Sequence, residues 1–476
     1  METENPTTAA SAPDGIGLSI LPDLGQNGGP QALSTMERWK GRRFLGDARI
    51  VVARSVQEVE AIRDVWTLWQ WNPNAEIEFY LHILRSRPEI LRPHVLILYR
   101  DSVPVAMLVG RLVLGDVEAR LGYARLFKTQ ARTLTFIQGG LAGDLSSENS
   151  EILVLEVMRS LREGEADMAD FRSVRSDSPF YKVLTHYPGL FMRDCFPQEQ
   201  PHWSMTLPDR AEEVLACTSG HERRQIRRRS KLLDTDYSGN VRIEHFGAGA
   251  DLDRMCRDIE DVARKTYQRG LGVGFFDSAE NRVRLQFEAE RGWLRAYILY
   301  VADKPCAFWM GNLCGTVFYS GDVGYDPGYK KYELGKQLLM RVLEDLCRNG
   351  AKQMDFGLGD AEWKQRFGDT KWQEASARLF APTLKGLGIN VTRIPPIFVD
   401  RLLRKTLRET QILPRIKRLW RDRARKAAQE SSGRPMKGFL SSDRGSLWEK
   451  LGLALQRQRA QGLKSSGHAG TGTKGT

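Results

Sequence analysis

Apolar and polar positions follow two rhythms along this chain, and the places where the rhythm changes mark its elements. Ile50–Arg54 reads as a strand, and Ser55–Trp69 as a helix that opens on a serine cap with Glu58 three residues on. Two apolar runs, His94–Arg100 and Val103–Leu114, flank the turn residues Asp101 and Ser102 and predict a hairpin. Glu151–Leu161 has apolar residues at 152, 153, 155, 157, 158 and 161, which is helical spacing.

The second half repeats the plan. Asp251–Tyr267 gathers Leu252, Met255, Cys256, Ile259, Val262 and Ala263 on one helical face. Trp293–Tyr300, Pro305–Asn312 and Thr316–Val323 read as three successive strands. Gly335–Cys347 then carries Leu338, Leu339, Val342, Leu343, Leu346 and Cys347 as one stripe, with Gly350 where a C-cap belongs and Gln353–Phe356 as a short buried strand. The halves also echo each other locally: Leu161, Gly164, Met168, Asp170-Phe171 and Tyr181-Lys182 parallel Leu346, Gly350, Met354, Asp355-Phe356 and Trp363-Lys364. Helix, meander, helix and strand in each half predict an α/β fold of two units side by side, as a tandem duplication would leave.

Composition sets the ends apart. Residues 1–44 are rich in Pro, Gly, Ala, Ser and Thr and read as a flexible leader, with 45–210 and 211–384 as the two folded units. The chain holds 71 basic and 59 acidic residues, a net charge of +12. Residues 385–476 account for 21 of the basic and 6 of the acidic ones, which leaves residues 1–384 with 50 against 53. The charge excess therefore belongs to the C-terminal end, and the body gives no ground for nucleic-acid binding. Within 385–428, residues 401–426 interleave Arg and Lys with Leu, Ile and Trp, broken at Pro414. This basic amphipathic pattern suits an anionic membrane face or docking on the protein's own body. Residues 429–476 read as mostly disordered, apart from a short helix at Ser446–Leu455.

The six cysteines form no C-x-x-C pair, and the closest two are eight apart with no His nearby, so no zinc site is expected and a reducing cytoplasm is. The N-terminus lacks the basic start and apolar run of a signal peptide, and runs such as Val95–Tyr99 are too short to span a bilayer.

The segment from Phe318 to Phe367 carries the chemistry. A strand ends at Gly324–Tyr329, Tyr332–Lys336 opens the apolar helix, Met354–Asp360 follows the next strand, and Trp363–Phe367 closes the segment. Strand, glycine-containing turn and helix N-terminus present free amides and a positive dipole end to an anion, and Lys336 adds charge, which suits a pyrophosphate. Asp355 and Asp360 place carboxylates at the same end of the sheet.

These residues resemble the GNAT-type N-acyltransferases, and among them the CelD-like, cellulose-biosynthesis-associated acetyltransferases related to the Fem-like transferases. The resemblance rests on Tyr325–Tyr329, Glu333-Leu334-Gly335, Asp355–Asp360, and Trp363-Lys364 with Phe367-Gly368, and spans roughly residues 48–380. Three positions depart from that pattern: Leu334 stands for Pro, Trp363 for Tyr and Tyr267 for Trp. The resemblance implies acyl transfer from acetyl-CoA or another acyl-CoA to an amine, with no metal. The acceptor would be a small molecule or a glycan precursor, an amino sugar or amino acid of envelope or exopolysaccharide metabolism. It implies Asp355 or Asp360 as general base, Tyr325 or Tyr329 as acid, Leu334, Gly335, Lys336 and Gln337 as the pyrophosphate cradle, and Lys364 as an acceptor contact.

Each residue also has a plainer role: Asp355 bracing the glycine-rich turn, the tyrosines packing a strand end, Lys364 solvated, Gly335 allowing a close helix–strand contact. Gly270–Gly274 follows a helix and reads as a loop over the acceptor cleft or a linker, not a dinucleotide fingerprint. Arg227 lies in a basic helix, His221–Leu233, that grips a phosphorylated acceptor or joins the halves. Two further functions fit parts of the chain: Fem-like transfer from an aminoacyl-tRNA, and a non-enzymatic adaptor whose basic tail binds membrane or nucleic acid.

Overall fold

The computed structural model describes residues 44–45, 48–121, 124–270 and 273–394. The expected leader, the 401–426 amphipathic stretch, the 429–476 end with its short helix, and Leu271 and Gly272 of the glycine-rich loop lie outside the described residues.

The described strands form one mixed sheet of thirteen. In the first half they are β1 (Phe44–Leu45), β2 (Ala48–Ala53), β3 (Ile90–Arg100), β4 (Val103–Leu121), β5 (Ala124–Gly143), β6 (Met168–Arg175) and β7 (Gln198–Thr206). The second half supplies β8 (Val241–Phe246), β9 (Leu294–Val301), β10 (Lys304–Cys314), β11 (Val317–Tyr325), β12 (Gln353–Leu358) and β13 (Thr370–Phe380). The helices are α1 (Val56–Ala61), α2 (Arg63–Thr67), α3 (Ile77–Ser86), α4 (Ser147–Arg162), α5 (Pro179–His186), α6 (Gly220–Asp236), α7 (Leu252–Lys265), α8 (Tyr267–Gly270), α9 (Ala279–Glu290), α10 (Leu334–Arg348) and α11 (Glu362–Phe367).

Each half runs as an antiparallel meander, then a helix crossing over to a parallel strand: β5–α4–β6 and β11–α10–β12. A parallel neighbour cannot be reached by a tight turn, so the helix is the connection itself. The two halves share one sheet and exchange strands within it. The sheet order runs β6-β13-β7-β12, so each half's last strand lies beside the other half's next-to-last one. Two hairpin turns of the meanders, Asp101-Ser102 and Ala302-Asp303, have positive φ at both residues, the geometry that matches strand twist in a two-residue loop.

The expected apolar stripes are the buried ones. Leu338, Leu339, Val342, Leu343 and Leu346 of α10 pack on Trp309, Phe318 and Phe356, and Met255, Cys256, Ile259 and Val262 of α7 pack on Ile298, Phe308 and Met310 of the opposite face. On that second face α3 of the first half meets α9 of the second, with Phe79 against Phe287 (ring centroids 5.7 Å apart) and Arg291 paired to Glu76 at 2.7 Å.

Two expectations change. The single helix over Ser55–Trp69 has its capping box, Ser55 with Glu58, but breaks at Ile62 into α1 and α2. The strand expected to end at Leu114 continues to Leu121 and returns as β5.

The two β–helix–β crossovers differ where the parallel strands part. In the first half Phe136 and Phe171 stack at 4.6 Å and 15°, with Phe180 at 5.7 Å from Phe171, all buried. They fill the gap between β5 and β6. Gly110 on β4 makes room for this plug: a Cβ there would meet Phe136 Cδ1 at 2.5 Å. Gly110→Ala should therefore destabilise the protein by about 1–3 kcal/mol in chemical denaturation, the usual cost of overpacking a filled core.

Candidate active site

The second half has no such plug. β11 and β12 pair only from Val317–Tyr319 to Gln353–Asp355. Past that point β11 follows β10 to Tyr325, while β12 follows β7 through a register shift between Asp355 and Gly357. Ser320 stands where the register of the first half has Phe136. Its hydroxyl accepts from Trp309 Nε1 at 3.1 Å, and Trp363 sets its ring edge-on to Trp309 and Phe356, both at 5.2 Å. An open cleft therefore starts at the Tyr319–Asp355 pair, with a strand edge along Ser320–Tyr325 that no described strand covers on that side; the Val323 carbonyl in it accepts from Gln268 Nε2 at 3.3 Å.

Asp355 is held from three strands. Its Oδ1 accepts from His202 Nε2 and from the Gly357 amide, each at 2.6 Å. His202 comes from β7, stacks on Trp372 of β13 at 4.3 Å, and turns Nδ1 towards Glu374 Oε1 at 2.9 Å, close enough for an ion pair but without hydrogen-bond alignment. Burial disfavours the imidazolium, but the two carboxylates outweigh it and raise its pKa to about 9. Beside them Tyr319 donates to the Trp71 carbonyl at 3.1 Å, and burial and the Asp355 charge push its phenol pKa up, so it stays protonated.

A group with a raised folded pKa stabilises the protein below its unfolded pKa, near 6.5, and that contribution is lost as pH rises through the folded value. The thermal midpoint should therefore fall by roughly 5 °C between pH 6.5 and 9.5. In His202→Gln this slope should disappear, as a pH series of melting curves will show.

The N-terminus of α10 lies beyond the end of β11. Glu333 precedes it in a left-handed conformation (φ 53°) and gives no side-chain cap, and the amides of Leu334 and Gly335 have no hydrogen-bond partner among the described residues. Gly335 faces Tyr325, whose Cδ1 would lie 3.5 Å from a Cβ. In the first half, by contrast, Ser146 caps α4 through the Asn149 amide. Lys336 is not a free charge: it pairs with Glu222 at 2.7 Å and Glu333 at 3.0 Å, and Gln337 donates to the Ile226 carbonyl at 3.1 Å. These contacts clamp α6 beside the start of α10. Arg227 of α6 is exposed, with no ion pair among the described residues.

The remaining expected residues separate. Tyr329 packs beside Tyr237 and Tyr332, and burial and the nearby Cys306 thiol raise its pKa. Asp360 is exposed and accepts from Gln365 at 2.6 Å. Lys364 is only 8% exposed, and its ammonium donates to the carbonyls of Phe356 (2.6 Å), Gly357 (3.1 Å) and Leu358 (2.8 Å). With its three protons spent on the exit of β12, it is neither a solvated charge nor placed to contact an acceptor.

Sequence reasoning missed His202, Glu374 and Tyr319. His202 and Glu374 carry no local signal, because strand exchange brings them to Asp355. Tyr319 was detectable: it alternates with buried Phe318 along β11, which puts a polar ring on the opposite face.

Residues 220–365 match the family profile described as Acetyltransferase (GNAT) domain. No curated protein matches the chain. Solved structures that resemble it include a tandem GNAT protein from the clavulanic acid biosynthesis pathway (13% identity, 71% of this chain and 99% of that one, TM-score 0.42). A conserved protein of unknown function from Bacteroides thetaiotaomicron also resembles it (11%, 69% and 100%, 0.42), as does FemX (11%, 60% and 88%, 0.38). These TM-scores lie below 0.5, too distant a likeness to carry any chemistry. The block from α6 through α11, which holds the open cleft, is thus the part of the chain that matches a GNAT acetyltransferase domain.

Proposed function

We propose that this chain is an acyl-CoA-dependent N-acyltransferase of the CelD-like branch, acting on an amine of an amino sugar or amino acid in envelope or exopolysaccharide metabolism. The observation that carries the reading is the parting of β11 and β12, with the uncapped start of α10 beyond it, inside the segment that matches the GNAT domain. A bound acyl-CoA supplies an activated thioester carbonyl. The Leu334 and Gly335 amides and the helix dipole hold its pyrophosphate. Lys336 and Gln337 fix the helix start rather than contribute a loose charge. Apart from the Val323 carbonyl, which accepts from Gln268, the edge at Ser320–Tyr325 offers backbone groups to an amide-bearing arm.

Asp355 then takes a proton from the attacking amine, its orientation set by His202 and Gly357, and is better placed than exposed Asp360. The C–N bond forms as the thioester C–S bond breaks, and the departing CoA thiolate takes a proton from a tyrosine: Tyr319 is the donor nearest Asp355, with Tyr325 a second candidate at the α10 end of the cleft, whereas Tyr329 packs against Tyr237 and Tyr332. The Lys364 contacts support a bracing role in place of acceptor binding. The protein would work in the cytoplasm, at the inner membrane face if residues 401–426 bind anionic lipid; among the described residues no helix is long and apolar enough to cross a membrane.

One observation favours a second reading. Arg224, Arg227 and Arg228 of α6 are exposed close to the α10 start, as transfer from an aminoacyl-tRNA would use. Mass spectrometry of amine acceptors incubated with the protein separates the two. A product heavier by an acetyl group with acetyl-CoA supports the first reading; a product formed only with charged tRNA, and heavier by an amino acid, overturns it.

A further inference from the structure

The first half lacks an open cleft on its α4 side, but the other face of its sheet carries an unusual row. Strand register aligns Arg111 of β4, Thr135 of β5, Asp170 of β6 and Arg378 of β13 as successive cross-strand neighbours. Neighbouring strands lie about 4.8 Å apart, so the row sets one guanidinium on either side of a single carboxylate. Arg172, two residues along β6, adds a third. Asp170 is buried and serves two of them: Oδ2 accepts from Arg172 Nε at 3.0 Å and Oδ1 from Arg378 Nε at 2.9 Å. Burial disfavours the Asp170 carboxylate, but these two arginines outweigh it and hold its pKa low.

Among the described residues no carboxylate pairs with Arg111, although Glu89 lies near enough to act on it. Its side chain makes no hydrogen bond or ion pair with any described residue, and its Nε is buried without a partner. Burial and the nearby Arg87 pull its pKa down to about 10, with Arg172 acting the same way and Tyr80 and Glu89 opposing. Arg111 is half-buried, and a guanidinium with a buried, unpartnered Nε is a cost that folded proteins rarely carry without a counter-charge. Thr135 itself is only 6% exposed, so a counter-ion would reach the row from the side of its more exposed arginines. Thr135 is short, whereas the same register position in the second half holds the ring of Tyr319. Arg172 and Arg378 each keep 29% of their side chains exposed, so solvent reaches the row.

We propose that the first half binds a phosphoryl group at the solvent-facing side of this row, held by Arg111 with Arg172 and Arg378. Guanidinium forks meet phosphate oxygens in pairs, and a dianion supplies the counter-charge that Arg111 lacks. The plugged half of the sheet is then a ligand-binding half, with its site on the face away from α4. This site does not depend on the transferase reading, because its readout is binding alone.

The test compares the full chain in inorganic phosphate and in chloride at matched pH and ionic strength. Phosphate should raise the wild-type thermal midpoint by several degrees. Arg111→Met should melt above wild type in chloride, since an unpaired charge is gone, and should bind phosphate at least tenfold more weakly by calorimetry. Arg111→Lys keeps the charge but loses the fork, and should weaken binding at least threefold. Titration with methyl phosphate identifies the source: tighter binding than inorganic phosphate assigns an esterified phosphate, weaker binding a free ion. Equal phosphate responses in wild type and Arg111→Met, no response in either, or an Arg111→Met midpoint below wild type in chloride would each overturn the proposal.

Discussion

Replacing Asp355 with Asn should cost the protein acyl transfer by about 10²–10³-fold, the usual worth of a positioned proton acceptor, while the fold survives. The side chain sits where β11 and β12 part, with one oxygen engaged by His202 and Gly357. Asn keeps an oxygen for the Gly357 amide but brings no negative charge to take the proton that the acceptor amine must lose. It also removes one of the two carboxylates that hold His202 protonated, so the pH at which His202 titrates should move down. A structural role alone predicts the second effect without the first. Steady-state kinetics and a pH series of melting curves read the two separately, and a rate within threefold of wild type would remove Asp355 from the chemistry.

The largest stability effect should come from Lys364→Met, which keeps the length of the side chain and removes its charge. Three carbonyls at the exit of β12 lose their donor together. Hydrogen bonds from a charged donor are each worth about 1.5–3 kcal/mol, and the desolvation of a buried ammonium offsets part of that. The net loss should be on the order of 3 kcal/mol, a large share of the usual stability of a folded domain. Urea denaturation measures it directly. A solvated lysine would change stability by less than about 0.5 kcal/mol. Because these carbonyls lie just past Asp355, activity should fall in the same variant.

Much of this architecture is visible in the sequence where one face of an element is apolar. The α10 and α7 stripes, the β9–β11 meander and the segment from Phe318 to Phe367 are of that kind. β5 is not, because Thr129, Gln130, Arg132, Thr133 and Thr135 put polar residues on both of its faces, and period-two alternation has nothing to show. β7 and β13 are hidden for another reason. Gln198–Thr206 contains Pro201 and several polar residues, and reads as a loop. It becomes a central strand because the other half's strands flank it, burying His202 and Ser204. The site divides along the same line. Asp355 and the start of α10 are local features, legible from glycine spacing and a helix beginning. The His202 and Glu374 side chains that define the state of Asp355 come from strands exchanged between halves, and no local pattern predicts such a meeting. Lys364 misleads in the opposite way: a lysine beside a surface helix suggests solvent, yet its ammonium replaces the strand partner that the β12 exit lacks.

Equilibrium binding of radiolabelled acetyl-CoA to wild type, Gly335→Glu and Ser147→Glu tests the central claim most directly. A Cβ at 335 meets only Tyr325, at ordinary contact distance, so Glu fits there and sets its charge where the pyrophosphate would lie. Ser147 opens α4, the capped helix of the plugged half, and serves as the control. Saturable binding to wild type and Ser147→Glu, weakened at least 30-fold in a folded Gly335→Glu, is the predicted result. Binding left unchanged by Gly335→Glu, or none to wild type, would contradict it.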